Sequence, residues 1–215
     1  MKVEIYSDVA CPWCYIGEAR FERALREFAG AGELDVRYRP YQLDPQAPMQ
    51  AVPMLDYLAR RFGGQARAMA DRVIEVARGE GLEMDYDRGL TVNTLNAHRL
   101  LAMAEREHGA DVQRALMHRL FAAHFSEGRD VSDPDTLASL AGEAGLDIES
   151  VRAYLVSDAG TSEVKAEIAE AQQLGISAVP SFVFDDKYVV EGAQPTALFL
   201  EALNTVARES ETSTT

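Results

Sequence analysis

Cysteine is almost absent: the 215 residues hold two, Cys11 and Cys14, and the single tryptophan, Trp13, lies between them. With no distant partners, these cysteines cannot staple long loops, so stability has to come from an ordinary core. Histidine is scarce as well. His98, His108, His118 and His124 stand in no recognisable ligand pairing, so the second half of a structural zinc site is missing and no metal is expected. Basic residues are in deficit, 21 Lys and Arg against 35 Asp and Glu, a formal charge of −14. That charge repels phosphate backbones and anionic lipid surfaces, so neither nucleic acid nor membrane is an expected partner. No apolar run approaches the length of a membrane span. The opening Met1-Lys2-Val3-Glu4-Ile5-Tyr6-Ser7-Asp8 places acidic residues where a secretory signal needs an unbroken apolar region. The chain is read as cytoplasmic, where a vicinal cysteine pair is more often catalytic or metal-binding than structural.

What is present is a globular composition, 47% hydrophobic and 26% charged, at a length that buries about 70% of the unfolded chain's surface. Val3 and Ile5 alternate with polar neighbours as a strand requires, and the run stops at Cys11-Pro12-Trp13-Cys14. Phe21, Leu25 and Phe28 recur at helical spacing up to a stop at Gly30 and Gly32; Leu34, Val36 and Tyr38 then alternate until Pro40. Strand, helix, strand predicts a parallel βαβ unit. From about residue 50 the period is helical, punctuated by Gly63-Gly64, Gly79, Gly81, Gly109, Gly128 and Gly145, which predicts about five helices. Ser132 followed by Asp135, with Pro134 between, reads as a capped helix start. Val164, Ile168, Ala171 and Leu174 mark a further helix, and Ile176 to Phe184 a strand. Asp185-Asp186 turns that strand into a second one over 187–191, and Pro195 opens a helix with an apolar stripe of Leu198, Ala202 and Val206. The order α/β, all helical, α/β predicts one domain, residues 1–50 and 160–208, interrupted by a helical insertion, residues 51–159. Residues 209–215 offer nothing to bury and read as a disordered tail.

If Cys11 starts the first helix, its sulfur meets unpaired backbone N–H groups and the positive end of the helix dipole, both of which favour the thiolate. Cys14, one turn later, is within reach to resolve a mixed disulfide. On this reading Cys11 is the nucleophile, Cys14 is the resolving thiol, and no metal or organic cofactor is required. The plain alternative is an inert buried pair, since free cysteine is often a small core residue; Pro12 and Trp13 inside the pair speak against it.

Three stretches, Ser7-Asp8-Val9-Ala10-Cys11-Pro12-Trp13-Cys14-Tyr15-Ile16-Gly17, Asn93-Thr94 with Ala97-His98-Arg99-Leu100, and Gly192-Ala193-Gln194-Pro195, together resemble the FrnE-like branch of the DsbA family. The resemblance covers nearly the whole chain. It implies an α/β thioredoxin fold with a large all-helical insertion and a thiol-disulfide oxidoreductase using a redox-active Cys-Pro-Trp-Cys centre. It also implies a cis-proline at Val179-Pro180 opposite the cysteines, where the Val179 backbone can pair with an extended peptide or a thiol tripeptide. FrnE-like proteins carry glycine just before that Val-Pro pair, where this chain has Ala178; at a positive φ the alanine would cost about 1 kcal/mol. The superfamily includes 2-hydroxychromene-2-carboxylate isomerases and kappa-class glutathione transferases, which hold glutathione against a serine at the position of Cys11. By that analogy Val179, Gly192, Ala193 and Gln194 line a pocket for glutathione or another low-molecular-weight thiol as co-substrate, although the isomerase has an acidic residue where this chain has Gln194. Pro12 and Trp13 join them as substrate-binding residues.

His98 has the chemistry of a general base, but a lone histidine on an amphipathic helix is more often a hydrogen-bonded structural residue. Asn93 and Thr94 suit a helix start. Gln42, with Tyr41 and Leu43, follows the second strand, where a parallel sheet presents ligands. Three functions stand at this point: an oxidoreductase acting on a protein disulfide or small-molecule thiol, a glutathione-dependent isomerase or transferase acting on an aromatic or polyketide-like metabolite, and a non-enzymatic redox-sensing binding module. Monomer and homodimer are both open.

Overall fold

The alternation at Val3 and Ile5 becomes strand β1, Lys2–Ser7, in a computed structural model that describes residues 1–30 and 34–212; Gly32 lies outside them. Helix α1, Pro12–Glu27, follows with Cys11 as its N-cap residue and Pro12 in the first turn, where a missing N–H breaks no helical bond. Strand β2, Asp35–Pro40, pairs in parallel with β1, Val3 opposite Val36 and Ile5 opposite Tyr38. The short strand β3, Val52–Pro53, leads into α2, Met54–Phe62, and α3, Ala66–Gly79. Strand β4, Leu90–Thr91, precedes α4, Leu95–His108, and α5, Ala110–Phe121, which runs on as a π turn over Ala122–Ser126. Then come α6, Pro134–Glu143, α7, Ile148–Val156, and α8, Thr161–Gln173. Strands β5, Ser181–Phe184, and β6, Tyr188–Glu191, and helix α9, Thr196–Thr212, follow.

Four strands form a mixed sheet in the order β2-β1-β5-β6, with β5 antiparallel to both of its neighbours. Asp185 and Asp186 make the β5–β6 turn at φ of 46° and 57°, the left-handed pair that a tight hairpin needs. This is the thioredoxin arrangement, with the helical block inserted after β2. The block is not wholly helical: Val52–Pro53 and Leu90–Thr91 pair antiparallel, a ladder too short for alternation to reveal.

Packing and caps shift several expected boundaries. Among the described residues six α-helices, α2 to α7, fill the block rather than about five. Helix α6 is capped by Asp133, whose carboxylate accepts the Thr136 N–H at 2.8 Å, and not by Ser132, whose hydroxyl donates to Asp130 at 2.6 Å. Asp133 directly precedes Pro134, so it holds the N-cap position. Strand β5 begins only at Ser181, because Pro180 has no N–H to give a ladder. Lys187 belongs to the turn, its N–H bonded to Phe184 O at 3.0 Å. Helix α9 buries Phe199, Leu203 and Val206 and leaves Leu198 40% exposed; Leu174 is also at the surface. Of the expected tail over 209–215, the part up to residue 212 is helical instead. Helix α9 continues through Thr212, with the Tyr188 hydroxyl donating to Glu209 at 2.5 Å and the Ser210 hydroxyl to Val206 O at 3.0 Å. Residues 213–215 lie outside the described residues.

Helix α1 is gripped from two sides. Phe21 packs on Phe182, Phe184 and Phe199, with ring centroids 5.2, 6.3 and 5.6 Å away, tying it to the sheet and α9. Tyr15 stacks on Phe121 of α5 at 5.2 Å and on Phe125 of the π turn at 6.0 Å. Burying such rings contributes about 1.5–3 kcal/mol apiece, so the N-terminus of α1 is held by both layers.

Candidate active site

Asp8 shapes the turn before α1. Its backbone carbonyl accepts the Cys11 N–H at 2.9 Å and its carboxylate accepts the Ala10 N–H at 3.2 Å, a side-chain turn that delivers Cys11 to the helix start. The Cys11 carbonyl then takes the first helical bond, from Cys14 N–H at 3.0 Å. Both cysteines are free thiols and buried. The Cys11 thiol donates to Val179 O at 3.6 Å, a contact spanning 168 residues of sequence. Burial pushes the Cys14 thiol well up, and neighbouring Cys11 pushes in the same direction; the Asp8 N–H and the Ser7 hydroxyl act against them. Pro12 is partly buried, while Trp13 is 39% exposed beside the pair.

The facing wall is built from two loops. The Val179-Pro180 peptide bond is cis. Pro180 O accepts the Gly192 N–H at 2.7 Å, and Gly192 sits at φ 77°, where only glycine is unstrained. Gln194 turns back on its own loop, Nε2 donating to Glu191 O at 2.8 Å. Arg20 of α1 donates to Ala193 O at 2.5 Å and to Glu80 at 2.7 Å, fixing this loop against the helix. Ala178 has no positive φ, so the cost expected for a missing glycine does not arise.

A cavity of about 350 Å³ opens on the other side of the cysteine loop. Ala10 and Pro12 form one wall, and Met54, Leu58, Tyr86 and Phe125 of the helical block form much of the rest. Val179, Gly192, Ala193 and Gln194 do not line it, and of these Val179 meets the Cys11 thiol. Gln42 and Asn93 are brought together, Nε2 to Oδ1 at 3.0 Å. Asn93 also accepts the Leu95 N–H at 3.0 Å and donates to Pro45 O at 3.0 Å, so it starts α4 and anchors the loop after β2. Thr94 makes no side-chain cap.

Three residues escaped the sequence reading. Asp8 is buried with His98, Nε2 to Oδ1 at 3.3 Å, and accepts the Leu43 N–H at 2.8 Å. Burial works against its charge, but His98 and the amide outweigh it and hold the carboxyl below its usual range. Its signal was present in the motif, as an aspartate three positions before a helix-starting cysteine. His124 lines the cavity; burial pushes its ring down to about 4, and among the described residues its Nδ1 has no hydrogen-bond partner. Tyr86, another wall residue, is pushed up by burial and then by the charge of Cys11. Among the described residues no group of three or more His, Cys, Asp or Glu side chains is arranged to hold a metal ion.

The family profile of the DSBA-like thioredoxin domain matches residues 2–204. The chain belongs to that family. A crystal structure of the probable DsbA oxidoreductase SCO1869 from Streptomyces coelicolor is 40% identical and superposes with a TM-score of 0.88, covering 97% of this chain and 91% of that one. A 2-hydroxychromene-2-carboxylate isomerase shares the fold at 16% identity and a TM-score of 0.70, over 98% of both chains. The cytosolic disulfide reductase DsbM from Pseudomonas aeruginosa, solved with GSH, shares it at 22% identity and a TM-score of 0.65, over 99% of this chain and 98% of that one. In this DsbA-like chain no described helix is long and apolar enough to cross a membrane.

Proposed function

We propose that the chain is a thiol-disulfide oxidoreductase of the cytoplasm, with Cys11 as nucleophile and Cys14 as resolving thiol. One observation carries the reading: Cys11 caps α1 with its sulfur 3.6 Å from the Val179 carbonyl, while Cys14 lies buried one turn behind it. The Cys11 thiolate attacks one sulfur of a substrate disulfide, forming a mixed disulfide and releasing the first thiolate. Cys14 then loses its proton and attacks the Cys11 sulfur; the second substrate thiolate leaves, the enzyme is oxidised and the substrate reduced. The raised Cys14 thiol supports this order, because Cys14 stays protonated until Cys11 has reacted. Run in reverse, the same steps oxidise a dithiol.

The substrate we propose is a protein disulfide or a low-molecular-weight thiol such as glutathione, held near Val179 and the Gly192–Gln194 loop with Pro12 and Trp13 beside it. The related reductase solved with GSH supports a small thiol, and its cytosolic setting supports the compartment. No further cofactor enters the scheme. The cavity of about 350 Å³ beside Pro12 favours one second reading, a thiol-dependent isomerase or transferase acting on an aromatic metabolite, since it falls in the range of small-molecule sites.

Turnover of a generic disulfide by the reduced protein tests the proposal, with Cys11→Ser and Cys14→Ser alongside. Both variants are expected to lose turnover, while Cys14→Ser still accumulates one mixed disulfide at Cys11. Metabolite turnover that survives Cys14→Ser and needs an added thiol would replace this reading with the second. Reaction at Cys11 without any turnover would leave a redox-sensing binding module.

A further inference from the structure

Residues 192–194 carry no fully buried side chain, so hydrogen bonds do much to place this loop. Two of them tie it to other parts of the site: the Gly192 N–H donates to Pro180 O at 2.7 Å, and Arg20 Nη1 donates to Ala193 O at 2.5 Å. Arg20 stands one turn after Gly17 on the same face of α1, where a Cβ at Gly17 would come within 3.3 Å of the Ala193 Cα. Its Nε donates to Glu80 at 2.7 Å, and Arg23 Nη1 donates to the other Glu80 oxygen at 2.9 Å. Glu80 directly follows α3 of the helical block. The Arg20 and Glu80 side chains keep 19% and 13% of their exposure, so water screens this pair less than an ordinary surface ion pair. Burial works against the Glu80 charge, yet Arg20 and then Arg23 hold its carboxyl below its usual range. A guanidinium is rigid and planar, so the direction of its bond to Glu80 fixes the direction of its bond to Ala193.

We propose that Arg20, held by Glu80, is a positioning residue that sets the Gly192–Gln194 loop, and with it the Pro180 wall, for a disulfide substrate carrying peptide groups. The proposal rests on the oxidoreductase reading above, with that loop as part of the substrate site. Hydrogen bonds lead from Glu80 through Arg20 to Ala193 O, and from its neighbour Gly192 to Pro180 O; Val179, next to Pro180, accepts the Cys11 thiol. In this line Arg20 acts on the backbone of the wall and not on the thiol. Its loss therefore bears on a disulfide whose amide groups meet that wall, and hardly on one that offers only its S–S bond. Because Glu80 belongs to the helical block, the block reaches the wall beside Cys11 through this salt bridge.

Two reagents test this: glutathione disulfide, which carries peptide groups, and 2-hydroxyethyl disulfide, which carries none. Rates of oxidation of the reduced protein are read by mass on acid-quenched, alkylated samples, and each is divided by the rate of the same reagent with dithiothreitol. Arg20→Ala is expected to slow oxidation by glutathione disulfide about tenfold and to change oxidation by 2-hydroxyethyl disulfide by no more than about twofold. Arg20→Lys, which keeps a charged donor for Ala193 O, should recover most of the loss. Glu80→Ala should act in the same direction, and the double variant should be no slower than Arg20→Ala alone. An unchanged rate with glutathione disulfide, equal slowing with both reagents, or effects of the two substitutions that multiply overturns the proposal. So does a parent protein with no preference for glutathione disulfide once the reference rates are divided out. Should Arg20→Ala fail to fold, Glu80→Ala decides by the same comparison of reagents. Failure of the parent protein to react with either disulfide would defeat the oxidoreductase reading instead.

Discussion

Glu22 and His118 hold a charge at the seam between α1 and α5. Arg114 meets Glu22 through Nε at 2.7 Å, and His118 Nε2 lies 3.3 Å from Glu18 and 3.6 Å from Glu22, an ionic contact rather than a well-aimed hydrogen bond. Burial works against the charge on Glu22, yet His118 and then Arg114 hold its carboxyl at about 2. Burial also works against the charge on His118, and Glu18 and Glu22 overcome it, pushing the imidazole up to about 10. The His118 side chain is 43% exposed, so water screens much of that interaction. A histidine raised from 6.5 to about 10 stabilises the fold fully below pH 6.5, and the contribution fades as pH climbs toward 10. Glu22 acts in the opposite window, its share lost as pH falls from 4.5 toward 2. His118→Gln is therefore expected to cost about 1 kcal/mol near pH 6 and almost nothing at pH 10. Urea midpoints at pH 6, 8 and 10 measure this, and a penalty independent of pH would assign the loss to packing instead.

Helix α1 positions the cysteines, and its second turn decides how closely the opposite wall can approach. A Cβ added at Gly17 would come within 3.0 Å of Pro180 Cγ and 3.3 Å of the Ala193 Cα. Replacing a mid-helix glycine by alanine gains up to about 1 kcal/mol of propensity, while overpacking costs about 1–3 kcal/mol. Neither neighbour is a flexible side-chain end, and Arg20 pins Ala193, so the packing loss wins. Gly17→Ala is expected to lower the melting temperature and to loosen the Cys11 contact with Val179, read as altered alkylation of Cys11 by iodoacetamide; a more stable protein would refute this. The cysteine side of the site was legible because strand alternation, a proline-started helix and a turn aspartate are local signals. The opposite wall was not: no periodicity links Cys11 to Val179, and only the likeness to known motifs brought them together. The Asp8–His98 pair crosses 90 residues and gave no pattern at all. Phe199 and Leu198 are both apolar, so composition could not choose which one faces the core. The two-residue ladder between β3 and β4 lies below any length at which alternation can be seen.

The whole molecule sets the cysteine loop where the sheet unit meets the helical block, and the two layers contribute different things. On the proposed reading the sheet unit supplies reactivity, through Cys11, Cys14 and the Val179 backbone. The helical block supplies most of the walls of the adjoining cavity, so it decides what fits beside Pro12. This division predicts that a substitution in the block can change substrate choice without touching thiol chemistry. Leu58 on α2 is partly buried and lines the cavity, so Leu58→Trp fills space without displacing a fully buried side chain. A bulky aromatic disulfide should then turn over about tenfold more slowly, the scale on which an apolar pocket discriminates, whereas iodoacetamide should alkylate Cys11 at the parental rate. Equal losses with both reagents would mean that the new ring disturbs Cys11 itself. An unchanged rate with the bulky disulfide would mean that substrates approach only from the side of Val179 and Gly192, leaving the cavity no part in the reaction.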